Sequence, residues 1–239
     1  MGHGNFLGYL HQSFQEYAQH GGRSTKKLAD IHGGIARDLH QHLPTADYEV
    51  HSMGYGEGKE KTLPGYYMNK RVDITVLRNH VAVAAVGVKF VMSNYQQNAA
   101  NYFENMLGET ANLRVNDIPY YQILAMPDAA PYFQRDETKT IKRWETLTEA
   151  KLDRYTRLSN TNQAYLHTPT TMLMYIVSTG ADTATPPITN AAGFETYIQN
   201  PHFHVTPSTR VTPTFGPRVV LNDYERFLRQ LSKDIHTTP

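Results

Sequence analysis

Residues 70–92 limit the possible folds of this chain more than any other stretch. In Lys70-Arg71-Val72-Asp73-Ile74-Thr75-Val76 apolar and polar side chains alternate. That period puts Val72, Ile74 and Val76 on one face of a strand and Arg71, Asp73 and Thr75 on the other. Asn79-His80 reads as a tight turn into a second strand, residues 81–92. This strand is apolar almost throughout, which suits a strand buried on both faces. A sheet built around it needs a layer of helices on each side.

The rest of the chain offers those helices. Residues 5–20 carry Phe6, Tyr9, Leu10, Phe14 and Tyr17 near helical spacing, ended by Gly21-Gly22. A second helix, capped by Ser24, carries Leu28, Ile31, Ile35 and Leu39 and stops before Pro44. Residues 46–54 read as extended, and Gly54 to Gly65 as a glycine-rich loop. After the hairpin, a helix over about 94–113 has Ala99, Phe103, Met106, Leu107 and Leu113 as its apolar stripe. A strand follows at 119–126, then a charged stretch, a helix over 145–159 and an apolar strand over 170–178. Residues 180–218 are irregular, and a last helix carries Tyr224, Phe227, Leu228, Leu231 and Ile235. The expected fold is α/β, a mixed central sheet flanked by helices. A single domain over 1–239 is expected, its core at about 24–178 and a loop-rich region plus terminal helix over 179–239.

Composition excludes several classes. No run of eighteen apolar residues is present, so no membrane span is expected. The chain has no cysteine, hence no disulfide framework and no thiolate metal site. Met1-Gly2-His3-Gly4-Asn5-Phe6 lacks the plan of a signal peptide and departs from the myristoylation pattern at Phe6, so a cytoplasmic location is expected. With 23 Lys and Arg against 22 Asp and Glu, the net charge of +1 neither demands nor excludes nucleic acid.

The chemistry concentrates at Asp73 and Lys89, one near the start of the first strand and the other near the end of the second. An ammonium in an apolar frame requires an anionic partner. The helix that follows is rich in amides and has two acids on its polar side. Gln97, Asn101, Glu104 and Gly108 share one helical face; Asn98, Tyr102, Asn105 and Glu109 share another. Either acid is placed to flank the buried stripe. Hydrolysing a phosphodiester takes two carboxylates, a backbone carbonyl and a lysine around one or two Mg²⁺ ions.

Asp73 followed by Gly87-Val88-Lys89 and an acidic helix resembles the PD-(D/E)XK nuclease superfamily, type II restriction endonucleases in particular. The resemblance covers about residues 24–126. Asp73 matches the first acid and Lys89 the lysine, while Gly87 stands where the second acid is usual. Some similar enzymes carry that acid on the next helix; Glu104 fits the position, with Glu109 as its rival. The resemblance implies a restriction-endonuclease-like fold and a Mg²⁺-dependent endonuclease, with Mn²⁺ as substitute metal. Asp73, the Val88 carbonyl and Glu104 would hold the ion, and Lys89 would position water. It implies double-stranded DNA as substrate and a homodimer. Lys70, Arg71, Asn94, Gln97 and Asn101 are the expected DNA contacts nearby. A low-specificity nuclease of the same fold, acting in repair or phage defence, and a decayed DNA-binding module are the alternatives.

Weaker signals stand beside these. Arg135, Lys139, Lys142 and Arg143 gather around Trp144 but alternate with acids. Arg210 and Arg218 lie in the irregular stretch, available for base edges. His202-x-His204 has ligand spacing without a third ligand. Asp30-Ile31-His32-Gly33-Gly34 places two glycines inside a helix, at a cost that close packing or a bound ligand offsets, with His32 and Asp30 as candidate supporting groups.

Overall fold

The computed structural model describes residues 2–21, 24–43 and 47–237. Gly22, Pro44 and Ala46, expected at the ends of the first two helices and the start of the next strand, lie outside the described residues. The helices are α1 (Gly2–His20), α2 (Lys26–Gln41), α3 (Tyr95–Arg114), α4 (Asp153–Ser159), α5 (Ala191–Gln199) and α6 (Tyr224–Thr237). The strands are β1 (Tyr48–Ser52), β2 (Lys61–Leu63), β3 (Lys70–Val72), β4 (Ile74–Arg78), β5 (Val81–Phe90), β6 (Tyr120–Pro127), β7 (Ala129–Phe133), β8 (Ile141–Thr146), β9 (Met172–Ser178), β10 (Thr206–Pro207) and β11 (Val219–Leu221).

The fold is α/β around a seven-stranded mixed sheet ordered β1-β4-β5-β6-β9-β10, with β11 also paired to β9. β1, β4 and β5 run antiparallel, whereas β5, β6 and β9 run parallel. The parallel step from β5 to β6 requires a crossover, which α3 supplies. One face of the sheet, through Ile74, Val76, Val86, Val88, Ile123 and Tyr175, packs on α1, α2, α5 and α6. The other, through Leu124, Met126, Met172 and Met174, packs on α3 and α4. Burial on both faces is what the apolar run of β5 foretells. Among the helices of the described residues, none is long and apolar enough to cross a membrane.

Asp38 ties the first layer together. Its carboxylate, 7% exposed, accepts from the Tyr9 hydroxyl at 3.1 Å and the Tyr224 hydroxyl at 3.0 Å, joining α1, α2 and α6.

Several sequence expectations are corrected. The strand expected over 70–78 breaks at Asp73, where the chain leaves the small β2–β3 sheet and enters the main one. Val72 therefore packs with Leu63, Ala85, Leu113 and Tyr120, not on the face of Ile74 and Val76. The loop expected over 54–65 contains β2, and the charged stretch folds into the β7–β8 hairpin. The helix expected over 145–159 is the end of β8, a 3₁₀ turn and the short α4. The irregular stretch 180–218 contains α5, whose Asn190 cap accepts from the Gly193 N–H at 2.8 Å.

Candidate metal and phosphate site

The hairpin geometry places Asp73. Asn79 and His80 take φ of 51° and 66°, the left-handed pair of a two-residue turn that matches strand twist. Arg78 faces Val81 across it. A bulge then intervenes: Leu77 pairs with Ala82 but Val76 with Ala84, leaving Val83 as the extra residue. The bulge shifts β5 by one residue against β4, which exchanges the faces of the later β5 residues alone. Ile74 thus pairs with Val86. Asp73, one residue beyond, accepts from the Val88 N–H at 2.7 Å.

Asp73 opens into a cavity of about 410 Å³. Val88, Lys89 and Glu109 line it with Asp73, as do His32 and Lys27 of α2 and Lys70 and Arg71 of β3. The cavity thus joins both helical layers where β4 begins. A strand residue's N–H and C=O leave on the same edge, so the Val88 carbonyl faces the side on which its N–H meets Asp73. Lys89 is exposed at the mouth, its Nζ 4.8 Å from the centre of the Tyr102 ring.

Gly87 has a steric explanation. A Cβ there would overlap the Tyr120 hydroxyl and lie 3.0 Å from Gln122 Oε1. The Tyr120 hydroxyl occupies the space a side chain at 87 would need, and donates to Glu109 Oε2 at 2.9 Å. Gln122, paired with Gly87 across the sheet, donates to the Gly87 carbonyl at 3.0 Å. Glu109 Oε1 also meets Lys70 Nζ at 2.6 Å. An acid carried by α3 is thus bound to the hydroxyl that fills this position and held by Tyr120 and Lys70.

The structure separates the two candidate acids. The face with Tyr102, Asn105 and Glu109 lines the cavity. Gln97, Asn101, Glu104 and Gly108 are exposed, and Glu104 does not line the cavity. At about 100° per residue, Glu104 lies about 200° from the buried Met106, while Glu109 lies about 60° from it. The expectation that either acid flanks the buried stripe is corrected: only Glu109 does.

The expected DNA contacts divide likewise. Lys70 and Arg71 line the cavity, Arg71 with its Nε 2.9 Å from Glu60 Oε2. Asn94 and Gln97 line a second cleft of about 880 Å³ with Tyr132, Arg135, Lys139 and Lys142. Gln97 donates to the Tyr132 hydroxyl at 2.6 Å. Asn101 is exposed and lines neither. Arg210 is bound to Asp182 at 2.5 Å, and Arg218 donates to the Thr161 and Asn162 carbonyls.

A second cluster flanks Asp73. One ligand atom each of His32, Glu60 and Asp73 lie within 4.8 Å of one another. His32 and Asp73 are recognisable from sequence as unusual, but Glu60 comes from a polar loop that gives no signal. Burial raises the Asp73 carboxyl above its ordinary 3.8, reinforced by Glu60 and Glu109 and opposed by His32 and the Val88 N–H. His32, with Arg71, holds Glu60 below its ordinary value against burial. Burial and the neighbouring Lys89 depress Lys27.

No protein-family model, curated protein or solved structure matches this chain.

Proposed function

We propose that this protein is a divalent-metal-dependent endonuclease that hydrolyses double-stranded DNA, in the manner of the type II restriction enzymes its hairpin resembles. One observation carries the reading: Asp73, half-buried and fixed by the Val88 N–H, shares a cavity with Lys89 and a helix-borne acid. The donors fit a hard cation. Carboxylate and carbonyl oxygens are what Mg²⁺ takes, and a carboxylate that burial makes hard to ionise gains most from a bound positive charge.

Asp73, the Val88 carbonyl and Glu109, in place of Glu104, would hold Mg²⁺ or Mn²⁺. The ion, when bound, lowers the pKa of its water and stabilises charge on the phosphate. Lys89 at the cavity mouth donates hydrogen bonds to water and phosphate oxygens and balances the charge of the latter. Lys27, Lys70 and Arg71 add cations along the wall, which attracts a polyanionic backbone. Cutting both strands takes two such sites, hence a homodimer on a two-fold target.

A second reading has support of its own. Arg210 and Arg218 hold partners within the fold and would have to exchange them to read a base edge, which is consistent with a nuclease of low sequence preference. Incubating a long plasmid with protein and Mg²⁺ separates the two: discrete fragments mark site specificity, a smear its absence. An uncut plasmid with either Mg²⁺ or Mn²⁺ refutes nuclease function and leaves the decayed binding module.

A further inference from the structure

We propose that His32, Glu60 and Asp73 form a mixed nitrogen and oxygen site for a first-row divalent ion, one that prefers Mn²⁺ to Mg²⁺. The site lies beside the one assigned above to Asp73, the Val88 carbonyl and Glu109 and shares only Asp73 with it; the inference rests on the nuclease reading only for what the ion does.

Two independent observations carry it. The first is the convergence of the three side chains from separate parts of the chain: α2, the loop before β2, and the junction of β3 and β4. The second is His32 itself. It is 1% exposed, lines the cavity, and neither ring nitrogen has a hydrogen-bond partner. Its Nδ1 lies 3.8 Å from Glu60 Oε1, beyond hydrogen-bond distance. Buried polar groups nearly always find partners, and a buried imidazole with both nitrogens unmet points to a ligand.

The backbone is built to hold His32 there. Gly33 admits the backbone of Gly54: a Cβ on Gly33 would lie 2.8 Å from the Gly54 carbonyl oxygen. Gly54 takes φ +81° and packs on the Ala29 carbonyl. Ser52 Oγ donates to the His32 carbonyl at 3.3 Å. These contacts clamp α2 to the end of β1 and to the loop that leads to Glu60. The Gly33-Gly34 pair is thus explained by close packing, Gly34 against the Tyr9 ring, and that packing positions His32 over Asp73.

The donor set decides the metal. Glu60 keeps Oε2 on Arg71 and turns Oε1 toward His32, and Asp73 keeps one oxygen on the Val88 N–H. One carboxylate oxygen from each acid and one imidazole nitrogen remain. Imidazole is a poor ligand for Mg²⁺ and Ca²⁺ but a good one for first-row transition ions, while the two carboxylates suit Mn²⁺.

Isothermal titration calorimetry of the full chain with Mn²⁺ and, separately, Mg²⁺ tests this. Mn²⁺ is expected to bind tighter than Mg²⁺. His32→Gln is expected to weaken Mn²⁺ about tenfold or more. Glu60→Gln, closer to the surface and less demanding of the core, is expected to weaken it comparably, while Glu104→Gln leaves it unchanged. Circular dichroism confirms that each variant is folded. Absent Mn²⁺ binding, or Mn²⁺ affinity unchanged in a folded Glu60→Gln, overturns the inference. Plasmid cleavage with Mg²⁺ alongside such a result leaves the nuclease reading standing. Mn²⁺ binding at these residues without cleavage supports the site and removes the nuclease.

Discussion

Gly87→Ala adds one methyl group at the position where the resemblance expects a carboxylate. The structure makes that methyl expensive. It would overlap the hydroxyl of Tyr120, a side chain 1% exposed, and lie 3.0 Å from Cζ of the same ring. Overpacking of this kind costs about 1–3 kcal/mol. A displaced hydroxyl also loses its bond to the Glu109 carboxylate, about 1.5–3 kcal/mol for a charged acceptor. The strand gains back about 0.5–1 kcal/mol on losing glycine. The net expectation is a loss of about 1.5–5.5 kcal/mol. At this chain length that is a fall in Tm of about 2–4 °C per kcal/mol. Tyr120→Phe alone loses the hydroxyl bond while Glu109 keeps Lys70, and should cost about 1.5–3 kcal/mol. The double variant is the sharp test. Phenylalanine has no hydroxyl to clash with the new methyl, and its bond is already gone. Its loss should fall short of the sum of the single losses by about 1.5–3 kcal/mol, the bond that both single losses contain. Urea unfolding followed by circular dichroism gives all three values. Strict additivity, or a Gly87→Ala protein as stable as wild type, refutes the claim that Tyr120 fills the place of the missing acid.

The remaining predictions concern the acids. Glu109→Gln should abolish metal-dependent cleavage of plasmid, whereas Glu104→Gln, on the exposed face of α3, should cleave at the wild-type rate. Asp73 has a folded-state pKa raised above 3.8, so the folded protein holds that proton more tightly than the unfolded chain. The stability this gives is full below 3.8 and is lost as pH rises through the folded value. Asp73→Asn should therefore unfold at higher urea than wild type at neutral pH without metal, and the gain should vanish as pH falls below 3.8. Asp38→Ala strands the hydroxyls of Tyr9 and Tyr224 and should cost about 2–4 kcal/mol in the same unfolding experiment.

The sheet was legible wherever one residue's burial dictated the next. The period of two in β4, the apolar run of β5 and the Asn79-His80 turn give the hairpin directly. The bulge at Val83 has no such signature, yet it sets the register that brings Asp73 to Val88. The β7–β8 hairpin is hidden because charged Lys142 and Arg143 occupy its exposed side and Pro131 its first strand. The α5 helix is flanked by Thr and Pro, although its Asn190 cap and the i, i+4 pair Phe194 and Ile198 are readable in retrospect. At the site, Asp73 and Lys89 follow from the hairpin. Choosing between Glu104 and Glu109 turns on helix phase relative to Met106, which amide spacing on the polar side leaves open. Glu60 belongs to an aperiodic loop, and only the clamp between Gly33 and Gly54 carries that loop to His32 and Asp73.

The central claim is that Asp73 serves phosphodiester hydrolysis. The most direct measurement is the rate at which wild type and Asp73→Asn convert supercoiled plasmid to cut forms, with Mg²⁺ or Mn²⁺ and with chelator. The account predicts conversion by wild type with metal, none with chelator, and none by a folded Asp73→Asn. Equal conversion by the two proteins, or none by wild type with either metal, contradicts it.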